Sequence, residues 1–204
     1  MPTRCEMAAT NPMPGSSAAS FHNSSVVLQR ALEVLRLVSP SLIIDAGCGA
    51  GRESVQLARE TGALVIALDN DPVALRAADA APGVLYVRAD AARLPLVSSA
   101  ADAVYSFGLL QVLTGHGREN IRSVLRDLRR ALHPNGVAIL SSSANFRTSD
   151  DTIRSLTGAE VSQVMRGTFR LHELIGLGDT DARGTRSRYW YIHAMPVPAG
   201  GSLR

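Results

Sequence analysis

The sequence predicts a doubly wound α/β fold, a mostly parallel sheet that closes with an antiparallel hairpin. Short apolar runs bounded by acids or glycines alternate with segments of helical period through most of the chain. The run Leu42-Ile43-Ile44 passes through Asp45-Ala46 into Gly47-Cys48-Gly49-Ala50-Gly51, a buried strand that opens into a tight loop and the first turn of a helix. The last two extended runs, 168–175 and 188–195, follow each other with no helical segment between them, which calls for antiparallel pairing.

The elements follow in order. Residues 1–22 mix Pro, Ser, Ala, Thr and Gly without periodicity and are expected to form a mobile arm. A domain spans 23–196, and 197–204 is expected to be a loose tail. Asn23 or Ser24 can cap a helix to residue 38, with Val27, Leu28, Ala31, Leu32, Leu35 and Val38 on one stripe, until Ser39-Pro40 ends it. The first strand is 42–45, and the helix after the glycine loop turns Val55 and Ala58 inward until Thr61-Gly62. The second strand is 64–68. Asp71 and Pro72 suit the cap and first position of a helix running to about residue 80. Strands 84–88 and 103–107 come next. The helix 118–132 then buries Ile121, Leu125, Leu128 and Leu132, with Arg118, Arg122, Arg126 and Arg129 on a solvated face. His133-Pro134-Asn135-Gly136 reads as a turn that feeds a strand over 137–141. Thr157 and Glu160 form a capping box for a short helix to about 166. Residues 176–187 connect the two terminal runs.

Composition narrows the function. The chain has 204 residues, enough for one domain with a single large core. No apolar run approaches the ~18 residues that span a bilayer, and 1–20 lacks the apolar centre of a signal peptide, so the expected compartment is the cytoplasm. Two cysteines, Cys5 and Cys48, suggest neither a disulfide framework nor a metal site. Every basic residue is arginine, which excludes a lysine Schiff base or lysine general base. The net charge of +3 is too small to argue for nucleic acid.

Candidate site residues gather at the ends of strands. In a parallel sheet ligands bind beyond the carboxyl ends, and here Asp45, Asp69 and Asp90 close three successive strands. Glycines at alternate positions let the backbone approach a ligand, and the helix behind them aims its free N–H groups at it. Asp69 is placed to accept bonds from two ribose hydroxyls. A dinucleotide loop would want a small residue where Arg52 stands.

With these residues the chain resembles the class I S-adenosylmethionine-dependent methyltransferases, whose first motif is an acid followed by three glycines at alternate positions. The resemblance covers about 24–195. It includes Ala67-Leu68-Asp69, Arg88-Ala89-Asp90-Ala91, the Leu94-Pro95-Leu96 loop before Asp102-Ala103-Val104, and Leu132-His133-Pro134-Asn135-Gly136. The closing segment, Phe169-Arg170-Leu171-His172-Glu173-Leu174 and Ser187-Arg188-Tyr189-Trp190-Tyr191, is similar to tellurite-resistance-type methyltransferases. The family implies a Rossmann-like sheet of seven strands ordered 3-2-1-4-5-7-6 with the seventh reversed. It also implies a cofactor, S-adenosylmethionine, held by Asp45, Gly47, Cys48, Gly49, Gly51, Asp69, Asn70, Asp90, Ala91 and Phe107. Asp90 would face the adenine amino group, with Asn70 and Ala91 flanking the ring. Cys48 is expected to fill the turn rather than to act as a nucleophile.

The implied reaction moves a methyl group to a nucleophile and releases S-adenosylhomocysteine, with a small molecule as the expected acceptor. After the fourth strand the chain reads Ser106-Phe107-Gly108-Leu109, which lacks the Asn-or-Asp-Pro-Pro-aromatic signature of nucleobase and glutamine N-methylation. No Pro-Cys pair for cytosine C5 chemistry stands there either. His116, on the loop after that strand, is the candidate base, with a solvated loop histidine as the plainer alternative. His133, His172 and His193 read as structural, and Arg183, Arg186 and Arg188 as an anion clamp or a charged loop. Two rivals remain at this level: a non-catalytic protein that binds the same cofactor, and a nicotinamide-dependent oxidoreductase.

Overall fold

In the computed structural model, which describes residues 25–144, 155–180 and 186–198, the chain starts with α1 (Val26–Val38), β1 (Leu42–Ala46), α2 (Arg52–Thr61) and β2 (Leu64–Asp69). It continues through α3 (Pro72–Arg76), β3 (Val84–Arg88), β4 (Ala101–Ser106), α4 (Leu109–Leu113), a 3-10 turn (Thr114–His116) and α5 (Arg118–Ala131). β5 (Leu132–Ser143), α6 (Gly158–Met165), β6 (Phe169–Thr180) and β7 (Arg186–Pro196) complete it.

The seven strands form one sheet in the order β3-β2-β1-β4-β5-β7-β6. β1 to β5 pair in parallel, and β7 runs antiparallel to both β5 and β6. The expected order and the reversed last strand are both present. The alternation of side chains along each strand divides the core into two layers. Ile43, Val65, Tyr105 and Ile139 pack against Leu28, Leu35 and Leu57 of α1 and α2. Ile44, Leu68, Val104 and Leu140 pack against Leu125, Leu128 and Val161 of α5 and α6. The strands between these layers are apolar on both faces, which is why they read as short unbroken runs.

Several local expectations shift. Ser25 caps α1, its Oγ accepting from Leu28 N–H at 3.1 Å; Asn23, Ser24 and the arm before them lie outside the described residues. On α2 the buried residues are Ser54, Gln56, Leu57 and Ala58, while Val55 is only half-buried. The helix after Pro72 stops at Arg76, short of residue 80. None of its five residues is buried, so no packing extends a segment that is too short to be helical alone. The turn expected at 133–136 is part of β5, and β6 and β7 reach well into the expected connection. Val197 N–H donates to Thr168 O at 3.0 Å and its carbonyl accepts from Arg129 Nη2 at 2.8 Å, so pairing continues past the expected boundary at 196. Residues 199–204 lie outside the description. Among the described residues no helix is long and apolar enough to cross a membrane.

The capping box is complete. Thr157 Oγ1 accepts from Glu160 N–H at 3.2 Å, and Glu160 Oε2 accepts from Thr157 N–H at 3.0 Å. Glu160 also receives Arg118 Nη2 at 2.9 Å, which ties α6 to α5. Thr157→Ala is expected to cost ~1 kcal/mol and to lower the melting temperature by about 2–4 °C, as read by calorimetry; an unchanged melt would show that the cap is dispensable.

Candidate active site

The strand order reverses between β2-β1 and β4-β5, so the loops after β1 and β4 leave the sheet in opposite directions and open a crevice between them. The floor is the glycine loop. Gly47 N–H and Cys48 N–H both donate to Leu68 O, at 2.8 and 3.0 Å, folding the loop back over the end of β2. Gly47 sits at φ 77°, and a Cβ there would stand 3.2 Å from Leu109 Cβ, so glycine keeps the gap between loop and α4 open. Gly51, at φ 74°, caps α2, and a Cβ there would run into the Tyr86 ring.

Asp69 organises the neighbouring rim. Its Oδ2 accepts from Gly49 N–H at 2.8 Å and its Oδ1 from Asp71 N–H at 2.9 Å. Each carboxylate oxygen has a second lone pair for a ligand hydroxyl. Asp90 Oδ1 accepts from Ala92 N–H at 2.8 Å, which steadies the loop after β3. Asp69, Asn70, Asp90, Ala91, Phe107 and Gly47 all line one cavity of about 680 Å³.

A second cavity, of about 320 Å³, is lined by Asp45, Gly47, Cys48, Arg52, Glu53 and Phe107. Gly47 and Phe107 belong to both, so the two form one elongated site with two lobes. Phe107 is fixed by the Tyr189 ring of β7, with centroids 5.2 Å apart. Asp45 is buried and accepts from Ser54 Oγ at 2.5 Å. Burial pushes its carboxyl up to about 7, with Glu53 and Asp69 adding repulsion and the Ser54 bond opposing. The Cys48 thiol is pushed up to about 12 by burial and by Asp45 and Asp69, which leaves it without thiolate character at neutral pH.

The structure thus brings nine of the ten expected cofactor residues to the site or its immediate frame, with Gly51 behind them shaping the start of α2. His116 closes the 3-10 turn after α4; its side chain lies outside the described residues. Two features escaped the sequence. α4 supplies Leu109, Gln111 and Val112 to the larger cavity, and Gln111 Oε1 accepts Ser143 N–H at 2.6 Å, joining α4 to the end of β5. The signal was Gly108 before the pattern Leu109-Leu110-Gln111-Val112-Leu113, too short for a periodicity argument. The other is Glu53, whose Oε1 accepts from Ser25 Oγ at 2.6 Å and whose Oε2 accepts from Tyr105 OH at 2.9 Å.

The site fits S-adenosylmethionine on its own chemistry. The larger lobe offers acids at its rim to a nucleoside's hydroxyls and amino group, and the second lobe offers the Asp45 carboxylate to the ammonium, and Arg52 to the carboxylate, of a zwitterionic amino-acid arm. Comparison with known proteins agrees. Residues 44–140 match the family model described as a methyltransferase domain. An uncharacterized methyltransferase of Synechocystis sp. is 33% identical over 113 residues, 55% of this chain and 51% of that protein. A malonyl-[acyl-carrier protein] O-methyltransferase of Methylovorus sp. is 30% identical over 160 residues, 70% of this chain and 51% of that protein. The chain spans about half the length of the curated relatives it matches. A solved S-adenosylmethionine-dependent methyltransferase of Methanosarcina mazei shares the fold, with a TM-score of 0.63 at 16% identity over 76% of this chain and 92% of that one. Residues 44–140 thus match a methyltransferase domain, and the glycine loop, strand-end acids and sheet order sit on the fold of that solved S-adenosylmethionine-dependent methyltransferase.

Proposed function

We propose that the protein transfers a methyl group from S-adenosylmethionine to a small-molecule acceptor and releases S-adenosylhomocysteine. The observation that carries this reading is the pair of cavities joined at Gly47 and Phe107, one rimmed by Asp69 and Asp90, the other by Asp45 and Glu53. In it Asp69 accepts the ribose hydroxyls, Asp90 the adenine amino group, and Asn70 and Ala91 flank the ring. Asp45, Gly47 and Cys48 take the amino-acid arm.

The bound cofactor supplies a sulfonium methyl that is already electrophilic. The chain therefore contributes orientation and exclusion of water, and well-oriented reactants can gain ~7–11 kcal/mol. Phe107, held by Tyr189, walls the junction of the lobes. For an acceptor that carries a proton, the sequence offers His116 as a base and the second lobe offers Glu53.

Calorimetric titration with S-adenosylhomocysteine tests the reading. Micromolar binding is expected for the wild type, at least 30-fold weaker binding for Asp69→Ala, and at least tenfold weaker for Asp69→Asn, which keeps an acceptor for the loop N–H. A folded wild type that binds no S-adenosylhomocysteine would overturn the proposal.

A further inference from the structure

Glu53 is a half-buried carboxylate with no ion-pair partner among the described residues, although Arg52 lies nearby. Its hydrogen bonds come from two neutral hydroxyls, Ser25 at the start of α1 and Tyr105 on β4; Arg52 only lowers its carboxyl, against a larger upward push from burial. Buried charges are ordinarily paired. A clamp between α1, α2 and β4 would need only a neutral amide, at smaller desolvation cost. Instead Glu53 lines the second lobe, with Phe107, Asp45 and Arg52 as fellow lining residues.

The two acids of that lobe stand on different walls. Asp45 is at the loop floor, next in the chain to Ala46 and Gly47 and bonded to Ser54 within the loop's own helix. Glu53 is held by residues outside the loop, on the wall that α1 and β4 build. If the nucleoside fills the larger lobe, the sulfur lies at the Gly47–Phe107 junction. Asp45 then serves the amino-acid arm, and the α1–β4 wall is left for the acceptor.

We propose that Glu53 is the acceptor-side carboxylate: it faces the position of the transferring methyl and takes the proton of a neutral hydroxyl, thiol or amine acceptor. This rests on the methyltransferase reading above. In the transfer the acceptor's lone pair forms the bond to the methyl carbon as the carbon–sulfur bond breaks onto sulfur. The acceptor's proton passes to a Glu53 carboxylate oxygen, leaving methylated product, neutral thioether and a carboxylic acid. Anionic oxygen acceptors, carboxylates and phosphates, meet a like charge there and are disfavoured.

The test compares two ligands that need no acceptor. Sinefungin carries an amine where S-adenosylmethionine carries its sulfonium methyl, so a carboxylate facing that position raises its affinity over S-adenosylhomocysteine. By calorimetry the wild type is expected to prefer sinefungin at least tenfold. In Glu53→Gln the preference should fall below threefold, while S-adenosylhomocysteine affinity stays within threefold of wild type. An unchanged preference would make Glu53 structural, and an equal loss for both ligands would make it a holder of the amino-acid arm; either overturns the proposal. A wild type without the preference overturns it as well. A folded wild type that binds neither ligand brings down the underlying methyltransferase reading. Should Glu53→Gln fail to fold, Glu53→Asp, with its carboxylate withdrawn by one methylene, should lose at least threefold of the preference, and an unchanged ratio there also overturns the proposal.

Discussion

Asp45→Asn is expected to flatten the pH dependence of stability of the free protein and to make it more stable than wild type at pH 8. The Asp45 carboxyl has an ordinary value of 3.8 and is pushed up to about 7 in the fold, burial being the largest cause, then the charges of Glu53 and Asp69, against the Ser54 hydrogen bond. The unfolded chain gives up this proton near 3.8, whereas the folded chain keeps it to about 7. Between those values the folded state binds more protons, so stability falls as pH rises. The contribution is whole below the unfolded value and exhausted once pH passes about 7. At 1.36 kcal/mol per unit, the two units between pH 5 and 7 remove about 3 kcal/mol. Asparagine resembles the protonated acid in shape and charge, so the variant should match wild type only below about pH 4, and its lead should widen by about that amount between pH 5 and pH 8. Glu53, raised in the same direction by burial, leaves a residual slope of the same sign. Urea melts of both proteins at pH 5, 6, 7 and 8 would decide it. Parallel curves would mean that the loop solvates Asp45 as an ordinary carboxylate.

The same ionisation links to the ligand. An ammonium placed beside Asp45 favours its charged form, so binding of S-adenosylhomocysteine should release a proton and tighten with pH up to about 7. The strain that Asp45 imposes on the free protein at neutral pH is then relieved by the ligand, which fits the tendency of perturbed titrating groups to gather at functional sites.

What was legible in the sequence follows from how local the cause is. β1, β2 and β4 are sandwiched between two helical layers, so each reads as an apolar run. Thr157 and Glu160 satisfy each other's backbone within four residues, and a spacing rule finds them. The acids Asp69 and Asp90 bond N–H groups two residues on, and their place at strand ends was equally plain. Glu53 was not legible, because its partners Ser25 and Tyr105 lie 28 and 52 residues away in the chain. The helix after Pro72 was overextended, since propensity continues through Ala77 and Ala78 while burial does not. At His133-Pro134-Asn135-Gly136 the turn residues are present, yet they are spent inside a strand, for a reason that only the neighbouring strand supplies.

That reason makes Gly136→Ala the most destabilising single methyl expected outside the site. Along β4 the partners step from Ala101↔Leu132 to Ala103↔Val137, so β5 absorbs its extra residues as a bulge opposite Asp102. Gly136 lies in that bulge, where a Cβ would stand 2.6 Å from Leu132 Cδ1, 2.7 Å from Asp102 O and 3.0 Å from His133 O. The leucine tip can move, but the Asp102 carbonyl cannot follow. The Asp102 carboxylate is held by Ser41 N–H at 2.8 Å and Leu42 N–H at 3.1 Å, which anchors this residue to the start of β1. Relief must therefore come from shifting β5 against β4, the pair beside the crevice. Overpacking of this kind costs about 2–3 kcal/mol, or roughly 4–12 °C in melting temperature for a chain of this length. Leu132→Ala added to Gly136→Ala removes one contact and leaves the carbonyl clash, so the double variant should recover little of the loss. Recovery to the level of Leu132→Ala alone, read by calorimetry, would mean that the leucine and not the Asp102 backbone is what requires glycine there.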